Sequence, residues 1–262
     1  MKIGFIGGGA LAEAVIKGIA GNFIEAQNIF VSERLQARCD ELVQKYKINA
    51  EVGVDSFIGD VDILLFAVKP KDVRAAMSDI CDKVNDDTTV VSVVAGFKIA
   101  NIEEYFKTQT VIRVMPNVAI AVGEGMNVIS IGSKSKPSEV ETIKKLFGSV
   151  GRCVEFDEKL MDAVTGLSGS GPAYAFLMID ALSDGGVAAG LPRAEAIELA
   201  AQTLLGAAKM VLETKQPPDV LRDKVTSPAG TTIEGVRVLE KCGVRSALIE
   251  AVIAATEKSK RM

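Results

Sequence analysis

Glycines and hydroxyls make up the stretches of this 262-residue chain that can do chemistry, and no histidine stands anywhere in it. In Gly7-Gly8-Gly9-Ala10-Leu11-Ala12, the residues Gly7, Gly9 and Ala12 fit the spacing G-x-G-x-x-G/A. Such a turn excludes Cβ atoms, so backbone can approach a pyrophosphate while the amides of the next helix face the anion. A second stretch runs Val225-Thr226-Ser227-Pro228-Ala229-Gly230-Thr231-Thr232-Ile233-Glu234. Thr231 and Glu234 fit a capping box, which leaves Thr232 and the first-turn amides for another task. Those amides suit a small carboxylate, favoured by the positive end of the helix dipole. A third stretch, Val164 to Ala173, reads as a tight entrance to a buried helix, with Pro172 at its first position and Ser170 or Gly171 as cap. The missing imidazole removes Ser-His-Asp triads, His-based zinc sites and the usual acid or base, and no metal site is expected. Chemistry must come from a cofactor, backbone dipoles, hydroxyls, carboxylates or lysines.

The elements that must position these residues follow from periodicity. Lys2 to Ile6 reads as a strand, and the apolar residues Val15, Ile16 and Ile19 mark the helix after the glycine turn. Asn28–Ser32 reads as a second strand, Arg34–Tyr46 as a charged helix, and Ala50–Val52 as a short third strand. Val61–Val68 is almost wholly apolar, as a parallel strand covered on both faces should be. A helix from Val73 to Val84 follows, then strands at Thr89–Ala95, Val111–Val114 and Met126–Ile131. This alternation predicts a doubly wound parallel sheet over residues 1–157. The character changes near Cys153–Phe156. Residues 158–262 read as helices at Ala173–Leu182, Arg193–Leu212, Pro218–Lys224, Thr232–Lys241 and from Arg245 onward. The expected fold is therefore an α/β Rossmann-type unit followed by an all-α unit. The helix carrying Ala200, Ala201, Leu204, Leu205, Ala207, Ala208 and Val211 is apolar on more than one face, which predicts burial against a second subunit.

Whole-chain properties narrow the partners. The formal charge is −4, from 30 basic and 34 acidic residues, with no concentrated basic stripe. Nucleic acid is not an expected partner, and the basic Lys258-Ser259-Lys260-Arg261 reads as a solvated helix end. The first strand begins at residue 3, too early for a cleavable leader, and Asp180 and Asp184 interrupt the most apolar region. A cytoplasmic protein without membrane attachment is expected. The four cysteines (Cys39, Cys81, Cys153, Cys242) are scattered and read as reduced thiols.

In a doubly wound sheet, ligands bind at the carboxyl ends of the strands. That places the glycine turn with Ser32-Glu33-Arg34, Ala67-Val68-Lys69-Pro70 and Ala95-Gly96 around a dinucleotide. Glu33 stands where an acid accepts ribose hydroxyls, whereas Arg34 could grip a 2′-phosphate, so NAD and NADP both remain open.

The chain resembles pyrroline-5-carboxylate reductases over essentially its whole length. The resemblance rests on Phe5-Ile6-Gly7-Gly8-Gly9, Ala67-Val68-Lys69-Pro70, Arg113-Val114-Met115-Pro116-Asn117, Thr165 to Tyr174, and Val225 to Thr232. It implies reduction of a cyclic imine to L-proline, with NADPH as expected cofactor and NADH as the alternative. Gly8, Ala10 and Leu11 belong to the same strand-end glycine turn, and Asn117, in a matched stretch, is a further expected cofactor residue. The resemblance further implies an interlocked homodimer, with dimers assembling into larger rings. Thr232 matches the family's threonine at the substrate ring nitrogen, and Ser227, Gly230 and Thr231 match the loop that holds its carboxylate. Glu33 departs from the many members that carry no acid there.

This chemistry fits a chain without histidine. Hydride addition to a protonated imine neutralises charge, so the protein must chiefly orient two partners, an effect on the order of 7–11 kcal/mol. The arrangement expects segment 225–232, donated by a sister subunit, to hold the ring over the nicotinamide. Two rivals make other expectations. A 3-hydroxyacid dehydrogenase would carry a catalytic lysine on the helix after the third stretch, and Ala173–Met178 has none. A dinucleotide sensor would bind the cofactor without consuming it, and the intact second stretch speaks against that.

Overall fold

The computed structural model describes residues 1–261. Eight strands form one sheet: β1 (Ile3–Ile6), β2 (Ile29–Ser32), β3 (Asn49–Glu51), β4 (Ile63–Phe66), β5 (Thr89–Ser92), β6 (Val111–Met115), β7 (Gly125–Ile131) and β8 (Gly151–Glu155). Their order is β3-β2-β1-β4-β5-β6-β7-β8, so the direction of winding reverses between β1 and β4. This reversal opens a crevice at the carboxyl ends of those two strands.

The sheet is parallel from β3 through β6, as expected, but β7 runs antiparallel to β6 and β8 lies parallel to β7. The reason is chain length. Only residues 116–124 join β6 to β7, and a parallel crossover needs a dozen residues or more. β8 itself was not expected as a strand, because its sequence Gly-Arg-Cys-Val-Glu is only half buried and lacks an apolar run.

Along β4 the side chains divide strictly by parity, as a pleated strand demands. Ile63 and Leu65 join one buried cluster, with Phe5, Ile16 and Phe147. Leu64 and Phe66 join the other, with Met77, Val90 and Phe106. The helices α1 (Ala10–Ile19), α2 (Gln36–Tyr46), α3 (Val73–Ser78), α4 (Ile99–Glu103) and α5 (Pro137–Gly148) complete these two layers. α3 is shorter than the predicted Val73–Val84 helix. Ile80 leaves helical geometry at φ −127°, and a tighter turn at Cys81–Lys83 follows.

The first compact unit takes in Met1–Ser170 together with the C-terminal residues from Ile253. It ends in the short helix α6 (Met161–Val164) and a π-helical turn at Thr165–Gly169, where a plain loop was expected. The second unit spans Gly171–Val252. Its helices are α7 (Gly171–Ala188), α8 (Arg193–Thr214), α9 (Pro218–Val225), α10 (Thr231–Lys241) and most of α11 (Val244–Ser259). α7 and α8 pack through small residues: a Cβ at Gly186 would stand 3.2 Å from that of Ala196, and Ala196 and Ala200 are buried. Within the single chain α7 leaves Phe176 63% and Leu177 70% exposed. No helix among the described residues is long and apolar enough to cross a membrane.

Candidate active site

At Gly7 the turn is built so tightly that only glycine fits. Gly7 has φ +98°, and a Cβ there would come within 2.9 Å of the Ala67 carbonyl oxygen. Its amide donates to the Ser32 carbonyl at 2.9 Å, fixing the turn against the end of β2. Nothing lies within 4 Å of where a Cβ on Gly9 would be, and Gly9 caps α1 without a side-chain bond. The first-turn amides of α1 at Ala10, Leu11 and Ala12 therefore have no intrahelical partners, as at any helix start. They form a donor set for an anion.

Gly8 is held from both sides. Its amide donates to Glu33 Oε2 at 2.8 Å, and its carbonyl accepts from Arg38 Nε at 2.9 Å. Arg38 also pairs with Glu13 Oε2 at 2.6 Å, and Lys45 and Tyr46 donate to Glu13 Oε1 at 2.6 and 2.8 Å. Hydrogen bonds from Arg38, then Lys45 and Tyr46, hold the Glu13 carboxyl down at about 2. Three residues of α2 thus clamp α1 and the turn between them.

A cavity of about 630 Å³ opens beside this turn at the carboxyl ends of β1, β2 and β4. Of the expected cofactor residues, Gly7, Gly9, Ser32, Glu33, Arg34, Ala67, Val68 and Lys69 line it. Gly8, Ala10, Leu11, Ala12, Pro70, Ala95, Gly96 and Asn117 lie off the lining. Sequence reasoning missed the turn after β3, with Gly53 and Asp55, and the face of α3 that carries Ala75, Ala76 and Asp79. A dinucleotide fits this donor set: an open crevice, free space beside Gly9 where backbone can approach a phosphate, and uncapped helix amides.

In the second unit, the stretch 226–230 leads into α10 through Ala229, a non-glycine residue held at φ 56°. A backbone in that region costs about 1–2 kcal/mol and is retained where it serves something. Gly230 caps the helix, and a Cβ there would strike Ser227 Oγ at 2.3 Å. The capping box expected from Thr231 and Glu234 does not form. Gly230 takes the cap position, so Thr231 is already the first helical residue, and Glu234 pairs with Arg237 at 2.9 Å. The helix start at Thr231, Thr232 and Ile233 is thus left without a side-chain cap and exposed.

Two further arrangements order the first unit. Arg113 on β6 is buried and pairs with Glu158 at 3.0 Å, while the same carboxylate oxygen accepts the Ile99 amide at 2.7 Å. Asn117 donates to the Ser168 carbonyl at 3.0 Å and accepts from the amides of Ala119 and Met126 at 3.2 and 3.3 Å.

A winding reversal with a glycine turn at its crevice, followed by a helical unit that exposes apolar side chains, marks a dinucleotide-binding α/β protein. Residues 158–262 match the family described as pyrroline-5-carboxylate reductase dimerisation, and residues 2–96 match the NADP oxidoreductase, coenzyme F420-dependent family. Pyrroline-5-carboxylate reductase of Arabidopsis thaliana is 43% identical over 262 residues, covering 100% of this chain and 95% of the relative. The Synechocystis enzyme of that name is 44% identical, with 100% and 98% covered. The crystal structure of Plasmodium falciparum pyrroline carboxylate reductase with NADP bound superposes with a TM-score of 0.90 at 32% identity, covering 100% of this chain and 97% of that one. The chain belongs to the pyrroline-5-carboxylate reductase family, whose members are NAD(P)H-dependent oxidoreductases.

Proposed function

We propose that this protein reduces the C=N bond of 1-pyrroline-5-carboxylate to L-proline, the last step of proline biosynthesis, using a reduced nicotinamide dinucleotide. The observation that carries the reading is the full-length match to relatives of that name, spanning both the glycine cradle and the stretch before α10. The dinucleotide, when bound, supplies the hydride that the imine carbon accepts, and the ring nitrogen keeps its proton as the amine forms.

The chain's own residues bind and orient. In this reading the amides at the start of α1 and the cradle of Gly7 and Gly9 hold the pyrophosphate. Ser32, Glu33 and Arg34 meet the adenosine, and Ala67, Val68, Lys69 and Pro70 border the nicotinamide, with Ala95, Gly96 and Asn117 beyond. Ser227, Gly230 and Thr231 hold the substrate carboxylate at the uncapped start of α10, where the helix dipole favours an anion. Thr232, one position further along the same turn, directs its hydroxyl to the ring nitrogen. The carboxylate fixes one end of the ring and the hydroxyl the other, which is what a near-attack geometry requires.

The working unit we propose is a homodimer built through residues 158–262, following a Rossmann-type domain of residues 1–157, with dimers joined into larger rings in the cytoplasm. The apolar side chains exposed on α7 and α8 support a dimer. Mixing the purified protein with pyrroline-5-carboxylate and NADH or NADPH, and following loss of reduced-nicotinamide absorbance together with proline formation, tests the reading. Proline formed in step with cofactor consumed is expected, and consumption without proline would overturn it.

A further inference from the structure

The β2 end of the cavity carries two opposed charges, and their geometry decides between two cofactors. Glu33 lines the cavity with its carboxylate pinned by two backbone donors: Gly8 N to Oε2 at 2.8 Å and Arg34 N to Oε1 at 2.7 Å. Each oxygen has about two acceptor positions, so each keeps one free. The guanidinium of Arg34 is turned toward another carboxylate, with Nη2 3.6 Å from Asp72 Oδ1. Lys83, also on the lining, pairs with Asp55 at 2.7 Å. Arg34 and Lys83 are thus each matched by an acid, while the other two cations of the lining, Lys69 and Lys71, follow β4 rather than β2 in the chain.

We propose that this chain selects NADH against NADPH, with the fixed Glu33 carboxylate accepting the adenosine ribose hydroxyls and excluding a 2′-phosphate. The proposal rests on the reading that the cavity holds a reduced nicotinamide dinucleotide. A ribose diol offers two neighbouring donors, which match the two acceptor positions left on Glu33. A 2′-phosphate replaces one donor by a group of charge about −1.5 to −2 that chiefly accepts hydrogen bonds. It would face a like-charged acceptor that loses its bond from the part-buried Gly8 amide, and that from Arg34 N, if it swings aside. Arg34 is already drawn toward Asp72, and a guanidinium turned toward the phosphate would stand beside Glu33 as well, so its charge would be shared among three anions.

The test is direct binding, without substrate. Titrate the full-length protein calorimetrically with NADH and NADPH in separate experiments, and repeat with Glu33→Gln and Arg34→Ala. NADH should bind at least about tenfold more tightly than NADPH to the native protein, a difference of about 1.4 kcal/mol. Glu33→Gln, which keeps the size and an acceptor for Gly8, should narrow that ratio at least about tenfold. Arg34→Ala should leave NADH the tighter ligand. NADPH binding as tightly as NADH would overturn the selectivity and leave the dinucleotide site standing, as would an unchanged ratio in a folded Glu33→Gln protein. If neither dinucleotide binds, the reading of the cavity fails and the selectivity with it. Should Glu33→Gln not fold, the native and Arg34→Ala ratios decide the matter alone.

Discussion

The side-chain amide of Asn117 donates to the carbonyl of Ser168 across 3.0 Å, tying the turn after β6 to the π-helical turn at Thr165–Gly169. π-turns occur mostly as single inserted turns and often at functional positions. Here the turn is closed by Ser170 N on the Thr165 carbonyl at 2.8 Å and pinned from outside by Asn117. The other end of the same side chain accepts two backbone amides, at Ala119 and Met126.

Asn117→Ala removes all three bonds from partly buried groups and should destabilise the protein by about 2–3 kcal/mol. Asn117→Asp keeps the two accepted bonds, loses the donor to Ser168, and should fall between. Denaturant unfolding of the three proteins checks the order. An alanine variant as stable as the native protein would show that the contact with Ser168 stabilises nothing.

The Glu13 cluster makes stability depend on acid. Arg38, Lys45 and Tyr46 hold the Glu13 carboxyl at about 2, against 4.5 in an unstructured chain. A depressed carboxyl stabilises the fold in full above the unfolded value and loses that contribution as pH falls from about 4.5 toward 2. The contribution is on the order of 2–3 kcal/mol. Glu13→Gln should therefore lower the melting temperature at pH 7, and the gap to the native protein should close toward pH 2–3. A gap that stays constant across that range would contradict the assignment.

Thr232→Ala should lower kcat/KM for pyrroline-5-carboxylate about tenfold, the effect of one oriented hydrogen bond, with dinucleotide affinity unchanged. Thr232→Ser should restore most of it, because the hydroxyl and not the methyl is invoked. Equal kinetics in all three proteins would remove Thr232 from the mechanism.

Phe176 and Leu177 on α7 are mostly solvent-exposed in the single chain, so a charge there costs the protomer little. Phe176→Asp should nevertheless convert the protein to a monomer by light scattering at micromolar concentration. A variant that keeps the native mass would move the interface elsewhere.

What could be read along the chain was whatever depends on near neighbours. The run Ile63–Phe66 identifies itself as a buried parallel strand because both its faces are covered, and the structure divides it between two cores. The glycine turn was legible because steric exclusion leaves Gly7 no alternative. β8 was not legible, since Arg152 and Cys153 follow no apolar alternation and pairing with β7 decides the matter. The helix α10 was expected from its pattern, yet its cap was misassigned by one residue, because the fit of Gly230 against Ser227 is a contact of the folded loop. Asp79 and Ala76 reach the cavity from α3, and the bond from Gly8 to Glu33 spans 25 residues. Neither leaves a trace in local spacing, and for that reason spacing alone left Glu33 and Arg34 on equal terms.

The central claim is hydride transfer from a bound nicotinamide to the imine carbon of pyrroline-5-carboxylate. It is tested most directly with NADH deuterated at the transferring position of C4, by mass spectrometry of the proline formed. One deuterium per proline, on the carbon that was the imine carbon, is the predicted result. Unlabelled proline, or oxidised cofactor with no proline, would contradict the account.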